Sequence, residues 1–370
     1  MRKRVLMAMS GGIDSTVSAL LLRNQGYELV GATFQTFESL PKNSESEKNC
    51  CSSKVIEEAA SLANKLGIEH HILNFSQIFQ NYVVADFINE YMQGRTPNPC
   101  VVCNSSIKWG MMLEKADELG CDYIATGHYA RIVSQNGVHF LAKAEDSAKD
   151  QTYFLWKLKT EELARTLFPL GNLTKMEVRK IAAENGFVEL SRKKESQEIC
   201  FIPDNDYRRF LSENVPDFSS KCFPGDYINA EGEKLGRHEG FPFYTIGQRK
   251  GLKVAFGSPK YVTQISAENN TVMLGEREDL LSLTLKAKNC IFPDKVRLEK
   301  NPWIYARIRY KSPATKAKIA ICGDCAELTF EEPVWGVTPG QSVVFYQEDC
   351  VVGGVNREYV EGCRSDSVII

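Results

Sequence analysis

Along the first two hundred or so residues, short β-branched and apolar runs alternate with stretches whose apolar residues recur every three or four positions, the signature of strands laid between amphipathic helices. Val5 to Met9, Leu29 to Phe34, His70 to Asn74 and Tyr123 to Thr126 predict strands. Between them, Thr16 to Asn24, Lys54 to Leu66, Gln77 to Tyr91 and Ile107 to Leu119 predict helices, two of them closed by Gly67 and Gly120, where glycine accepts the left-handed turn that ends a helix. Strands separated by helices argue for crossover connections, so the expected class is α/β with a parallel sheet. An antiparallel excursion is expected at Arg131 to Val133 and Val138 to Ala142 through the turn dipeptide Asn136-Gly137. Thr174 and Glu177 have the spacing of a capping box at the start of a helix that Gly186 closes.

Beyond residue 206 the pattern changes. From Phe223-Pro224-Gly225 onward glycine and proline punctuate short segments and helical periodicity fades. Thr284 to Ala287, Trp303 to Arg309, Lys316 to Ile321, Ala326 to Phe330, Ser342 to Tyr346 and Val351 to Val355 then read as strands at the spacing of a small β-barrel. The expected organisation is a parallel-sheet domain over 1–206, a small central domain over 207–278 and a C-terminal β-barrel over 279–370.

Composition narrows the class. With 370 residues, 43% of them hydrophobic, the chain can build several cores and is not a disordered protein. The leading apolar run is too short for a signal segment and no other run is long enough to cross a bilayer, so a soluble cytoplasmic protein with no membrane partner is expected. Twelve cysteines scattered over this length suggest reactive thiols or metal ligands rather than a disulfide framework. The net charge of −2 gives no global attraction for nucleic acid, so such a partner must find local basic patches. Arg192-Lys193-Lys194 and Arg208-Arg209 are such patches, although charge runs are usually solvated faces.

The first chemistry-bearing motif is Ser10-Gly11-Gly12-Ile13-Asp14-Ser15, between a predicted strand and a predicted helix. Glycines let backbone N–H groups approach an anion, the helix N-terminus adds partial positive charge, and the serines donate hydroxyls. The Lys-Ser/Thr ending of a Walker A loop is missing. The spelling instead resembles the PP-loop of ATP pyrophosphatases, which cleave ATP between the α and β phosphates; in that family Asp14 would help hold Mg²⁺ or the pyrophosphate. A bare strand-to-helix turn with Asp14-Ser15 as an ordinary N-cap is the plainer alternative. Thr126-Gly127-His128-Tyr129 ends a later predicted strand, where open α/β sheets place ligand contacts.

Two cysteines stand out. Cys103 precedes the good capping residues Asn104-Ser105-Ser106, so a helix end is expected to stabilise its thiolate. Cys200, in Ile199-Cys200-Phe201-Ile202-Pro203, fits a sulfur carrier and a buried hydrophobe equally well.

Seven segments in order carry a wider resemblance: Ser10 to Ser15, Pro97-Asn98-Pro99 with Cys103-Asn104, Thr126 to Tyr129, Lys149-Asp150-Gln151, Ser196 to Pro203, Tyr244 to Leu252, and Thr338-Pro339-Gly340-Gln341-Ser342. Over nearly its full length the chain resembles the tRNA-specific 2-thiouridylases. That resemblance implies that ATP contacts Ala8, Met9, Ser10, Gly11, Gly12, Ile13, Asp14 and Ser15, with Phe34 and Gly127 beside the nucleotide. It implies adenylation of C2–O of the wobble uridine, a persulfide on Cys200 delivered by a sulfur-donor protein, and a disulfide closed by Cys103. It also implies tRNA contacts at Asn98, Pro99, Cys100, His128, Lys149, Asp150, Gln151, Arg309, Tyr310 and Gln341.

The chain departs from the family where an aspartate normally stands three residues before Cys103; here it is Cys100. Cys100, Cys103 and Cys200 together resemble the three-cysteine [4Fe-4S] centre of other tRNA thiolases, an alternative to persulfide transfer with the same product. Cys50-Cys51 resembles a family element of unassigned role, and Cys322-Gly323-Asp324-Cys325 reads as a hairpin tip ahead of a metal half-site. A PP-loop enzyme adenylating a small metabolite is the rival reading, but it needs neither Cys103 nor Cys200. A non-catalytic RNA-binding or iron-sulfur protein would not need an intact Ser-Gly-Gly-x-Asp-Ser loop.

Overall fold

Four apolar runs close to the expected bounds form parallel strands: β1 (Arg4–Ala8), β2 (Glu28–Gln35), β3 (Glu69–Asn74) and β4 (Tyr123–Ala125). In this computed structural model, which describes residues 2–36, 53–193, 199–254, 257–355 and 360–363, they join the short strand Thr166–Leu167 in the order β3-β2-β1-β4 and then Thr166–Leu167. Strand β1 lies between β2 and β4, pairing Val5 with Leu29 on one side and Tyr123 on the other. The chain order therefore reverses between β1 and β4, and such a switch point opens a crevice at the carboxyl ends of the strands. Val5, Leu6 and Met7 are fully buried because helices cover both faces. Helix α1 (Ile13–Asn24) lays Ala19, Leu20 and Leu22 on one side of this sheet.

The chain forms two units: Met1–Val84, Pro99–Asp206 and Asp349–Val351 make the first, and Ala85–Asn98, Tyr207–Glu348 and Val352–Ile370 the second. In the first, the hairpin Arg131–Gln135 with Val138–Ala142 forms as expected, with Asn136 and Gly137 both at positive φ. Thr174 and Glu177 form the capping box of Lys175–Glu184. In the second unit, Gly225–Ile228, Lys234–His238, Tyr261–Ser266 and Thr271–Gly275 make a four-stranded sheet. Antiparallel pairing of Leu281–Ala287, Trp303–Arg307, Thr315–Cys322, Cys325–Trp335 and Val343–Gln347 follows. Alternation sets the inside of the barrel, with Ala317, Ile319, Ala326, Leu328 and Phe330 buried. Cys322 and Cys325 are register partners across a turn through Gly323, so the hairpin-tip expectation holds.

One helix differs from expectation. The stretch predicted from Ile107 begins at Pro99 and runs to Glu118, with Cys103–Met111 wound as a π-helix. Proline is pre-set for a first helical position, and that signal outweighed the capping residues that follow. Asn104, Ser105 and Ser106 therefore cap nothing. Ser105 Oγ donates back to Val101 O at 3.0 Å, and Asn104 Nδ2 donates to Phe154 O at 3.0 Å.

Candidate nucleotide and thiol site

At the switch point, the loop after β1 leaves the start of α1 uncapped: Gly12 holds the N-cap position and no side chain accepts from the first turn. The N–H groups of that turn are consequently open to an anion. Ser15, buried, keeps the loop in shape by accepting from Ser10 N at 3.2 Å and donating to Gly12 O at 3.1 Å. Thr16 Oγ1 also donates to Gly12 O, at 2.9 Å. These contacts contradict the ordinary-cap alternative, since Asp14 and Ser15 sit inside the helix. Ala8 ends β1, Met9 and Ile13 are buried beneath the loop, and Gly11 takes φ +68°.

Gly127 closes the crevice from the β4 side. A Cβ there would lie 2.8 Å from Asp14 C and Ser15 N, so only glycine lets the two loops meet this closely. Phe34, half-buried at the end of β2, packs on Phe75 at 5.5 Å between ring centroids.

Asp14 does not stand free for a metal. Lys175 Nζ donates to both its oxygens, at 2.7 and 2.8 Å, and Tyr129 Oη donates to Oδ1 at 2.9 Å. A magnesium ion bound directly to this carboxylate would displace Lys175, and the residues present do not fit that role. Lys175, itself buried, is the functional residue that the motif reading missed. Its signal was available: a lysine in the first turn of a helix opposes the helix dipole, and a buried one there has a compensating partner.

His128 follows Gly127. Its Nδ1 lies 2.7 Å from Thr126 Oγ1, its ring is 5.7 Å from that of Trp109, and burial, aided by the Lys108 cation, holds the imidazole well below the usual range. It is neutral at physiological pH. The same Lys108 faces Cys100, whose thiol burial pushes up to about 11, Cys200 adding to the rise and Lys108 opposing it. Cys100 nevertheless keeps accessible surface. Lys108 makes no hydrogen bond or ion pair among the described residues, and an i→i+5 ladder brings it onto the turn above Cys103. Asn104 Oδ1, next to Cys103, is a buried acceptor with no hydrogen-bond partner among the described residues. The helix-end argument for Cys103 lapses, because the helix starts four residues earlier, at Pro99.

Thus Gly127 touches the glycine loop, His128 and Cys100 share Lys108, and Cys100 senses Cys200: the anion nest and the thiols occupy one neighbourhood of the first unit. Among the described residues no group of three or more His, Cys, Asp or Glu side chains is placed to hold a metal ion.

The chain carries the matching architecture from end to end. A family model described as the tRNA methyl transferase HUP domain matches residues 3–204, a tRNA methyl transferase PRC-barrel domain matches 208–276, and an aminomethyltransferase beta-barrel domain matches 282–355. The tRNA-specific 2-thiouridylase MnmA of Amoebophilus asiaticus is 45% identical over 359 residues, 95% of this chain and 94% of that one. The enzyme of the same name from Halothermothrix orenii is 47% identical over 353 residues, 95% of this chain and 98% of the relative. The chain belongs to the tRNA-specific 2-thiouridylase family. In this 2-thiouridylase-family chain the expected fold stands, a parallel-sheet domain, a small central domain and a C-terminal β-barrel, and the central domain is a PRC-barrel.

Other residues that the resemblance implies as tRNA contacts lie in both units. Asp150 is buried and accepts from Ala144 N at 3.1 Å and Thr152 Oγ1 at 2.7 Å, so it organises its own loop. Gln151 Oε1 accepts from Tyr129 N at 2.9 Å, and Lys149 is half-buried at the same loop. In the second unit, Gln341 Nε2 donates to Thr96 O at 3.1 Å and Pro97 O at 3.0 Å, and Asn98, next in the chain, is buried. Arg309 donates to Ile246 O at 3.1 Å, and Tyr310 beside it is half-buried. Lys193 pairs with Glu58 at 2.8 Å and Arg209 with Glu213, which tempers both basic runs. Cys50, Cys51 and Ser196-Gln197-Glu198 lie outside the described residues. No described helix is long and apolar enough to cross a membrane.

Proposed function

We propose that the protein is an ATP-consuming tRNA sulfurtransferase that converts the wobble uridine of tRNA to 2-thiouridine. The observation that carries it is the single neighbourhood joining the glycine nest, through Gly127, His128 and Lys108, to Cys100 and Cys200. We assign ATP to Ala8 through Ser15 with Phe34 and Gly127, and tRNA to Asn98, Pro99, Cys100, His128, Lys149, Gln151, Arg309, Tyr310 and Gln341. Asp150 supports that loop from within. The three-domain division at 206 and 278 belongs to the same reading, as does a cytoplasmic setting with a persulfide-donating partner protein.

The uridine O2 attacks the α phosphorus of ATP and pyrophosphate leaves. Open N–H groups at the start of α1 and the Lys175 ammonium oppose the charge that develops on the phosphates. Asp14 and Tyr129 hold that ammonium in place. The terminal sulfur of a Cys200 persulfide then attacks C2, and AMP departs carrying the former O2. A second thiolate attacks Cys200 Sγ, which forms the protein disulfide and leaves both electrons of the broken S–S bond on the sulfur of 2-thiouridine. The resemblance names Cys103 as that second thiol. Cys100, whose thiol burial and Cys200 push up to about 11, is a second candidate for resolving the adduct. Lys108 opposes that rise without reversing it.

The test is nucleoside analysis of tRNA incubated with the full-length protein, ATP and a persulfide donor, with Cys103→Ser and Cys100→Ser run side by side. ATP-dependent 2-thiouridine is the expected product, and trapping of the RNA–Cys200 adduct identifies which thiol resolves it. Adenylation of small metabolites with no change in tRNA would overturn the reading.

A further inference from the structure

The segment Tyr244 to Leu252 takes no part in the chemistry above, yet it forms one wall of a cavity of about 630 Å³ in the second unit. Its backbone is fixed. Gln248 N donates to Thr245 O at 2.9 Å, Gly247 N to Val262 O at 2.8 Å, and Val262 N to Gln248 O at 3.0 Å. Gly247 has φ +84°, and a Cβ there would lie 2.7 Å from the Trp335 ring, so the loop lies directly against the indole.

Two arginines in the lining are already oriented. Arg309 sits 5.6 Å from the Trp335 ring centroid and is tied to Ile246 O. Arg208 lies 5.2 Å from the Phe243 ring and donates to Phe243 O at 2.9 Å. Arg249 and Lys250 differ: both are exposed, and among the described residues their side chains make no hydrogen bond or ion pair. Tyr207 adds aromatic surface, and no carboxylate stands among the lining residues.

Four cations line the cavity, Arg208 among them paired with the Glu239 carboxylate at 3.5 Å; together the four select an anion, and the aromatic surface beside them selects a planar ring carried with it. The volume is that of a pocket for one small organic group rather than a groove for a helix. No cysteine lines it, so whatever enters is held and not thiolated. We propose that this cavity receives one unstacked nucleotide of the tRNA, at a position other than the target uridine, with its phosphate on Arg249 and Lys250 and its base beside Trp335. The proposal rests on the tRNA reading above.

The double variant Arg249→Ala/Lys250→Ala of the full-length chain tests it, since both side chains are exposed and their removal leaves the loop's hydrogen bonds intact. KM for tRNA is expected to rise about tenfold with kcat changed far less, and the slope of log K against log salt to shrink by about one to two. Charge reversal in Lys250→Glu deepens the loss. Ultraviolet cross-linking of bound tRNA is expected to mark a peptide containing Trp335 or Tyr207 with a nucleotide that is not the target. Millimolar UMP serves as the free-nucleotide probe: if it removes a cross-link while the double variant binds tRNA normally, the cavity is a mononucleotide site and the proposal falls. Unchanged KM and salt slope with intact thiolation overturn the cavity alone. Absence of thiolation by the unsubstituted protein overturns the function, and the cavity's role with it.

Discussion

The loop after β1 and the cysteine segment beginning at Pro99 both open helices, and they use that start in opposite ways. At Gly12 the helix end is left bare, backbone N–H groups face the crevice, and the one acid in the first turn is turned aside by Lys175 and Tyr129. At Pro99 the helix runs on without pause through Cys103, widens into a π-helix, and carries its charge on a side chain, Lys108. An anion held by many weak dipoles needs a bare helix end with a fixed backbone. A thiol that must change partners gains from one local cation, and the irregular helix carries one, Lys108.

That contrast can be broken from either side. Cys200→Ser should produce the largest effect, reducing 2-thiouridine to background while ATP-dependent pyrophosphate release persists; nucleoside analysis beside a pyrophosphate assay measures both. Lys175→Met comes next, with pyrophosphate release falling by about 10²–10³ as one preorganised cation is lost. An unchanged rate would mean that the backbone nest suffices alone. Gly127→Ala forces backbone contacts of 2.8 Å apart. It should destabilise the protein by roughly 1–3 kcal/mol in thermal melting, with a parallel loss of ATP binding.

The smallest effect tests the thiol side. Lys108→Met should raise the midpoint for alkylation of Cys100 above the value of about 11 set by burial, because a cation favours the thiolate and its removal disfavours it. The same substitution should let the His128 imidazole titrate nearer its ordinary range, which NMR of the ring resolves. If neither midpoint moves, Lys108 is not the cation that links the two halves of the site.

Strand and helix periods placed the parallel sheet and both antiparallel regions, because burial of an alternating or 3.6-periodic face is a local property of the chain. The glycine loop was legible for the same reason: Ser10 to Ser15 is contiguous, and its chemistry is a backbone property. Cys103 was legible as a residue but not in its surroundings, since Pro99 and the capping residues after it offered two competing helix starts. The partners of Asp14 were not legible, because Lys175 and Tyr129 lie more than a hundred positions away, whereas Asp150 bonds within its own loop, to Thr152 and Ala144.

By itself the sequence determined which segments become strands and helices, where glycine is required, and which family the chain resembles. Only the tertiary structure decided that a lysine 161 positions away seats Asp14 and that the Lys108 cation acts on both His128 and Cys100. It alone also gathered the cations of Arg208, Arg249, Lys250 and Arg309 around one cavity. Charge and burial act through space, and a one-dimensional pattern records neither the distance between two side chains nor the solvent left between them.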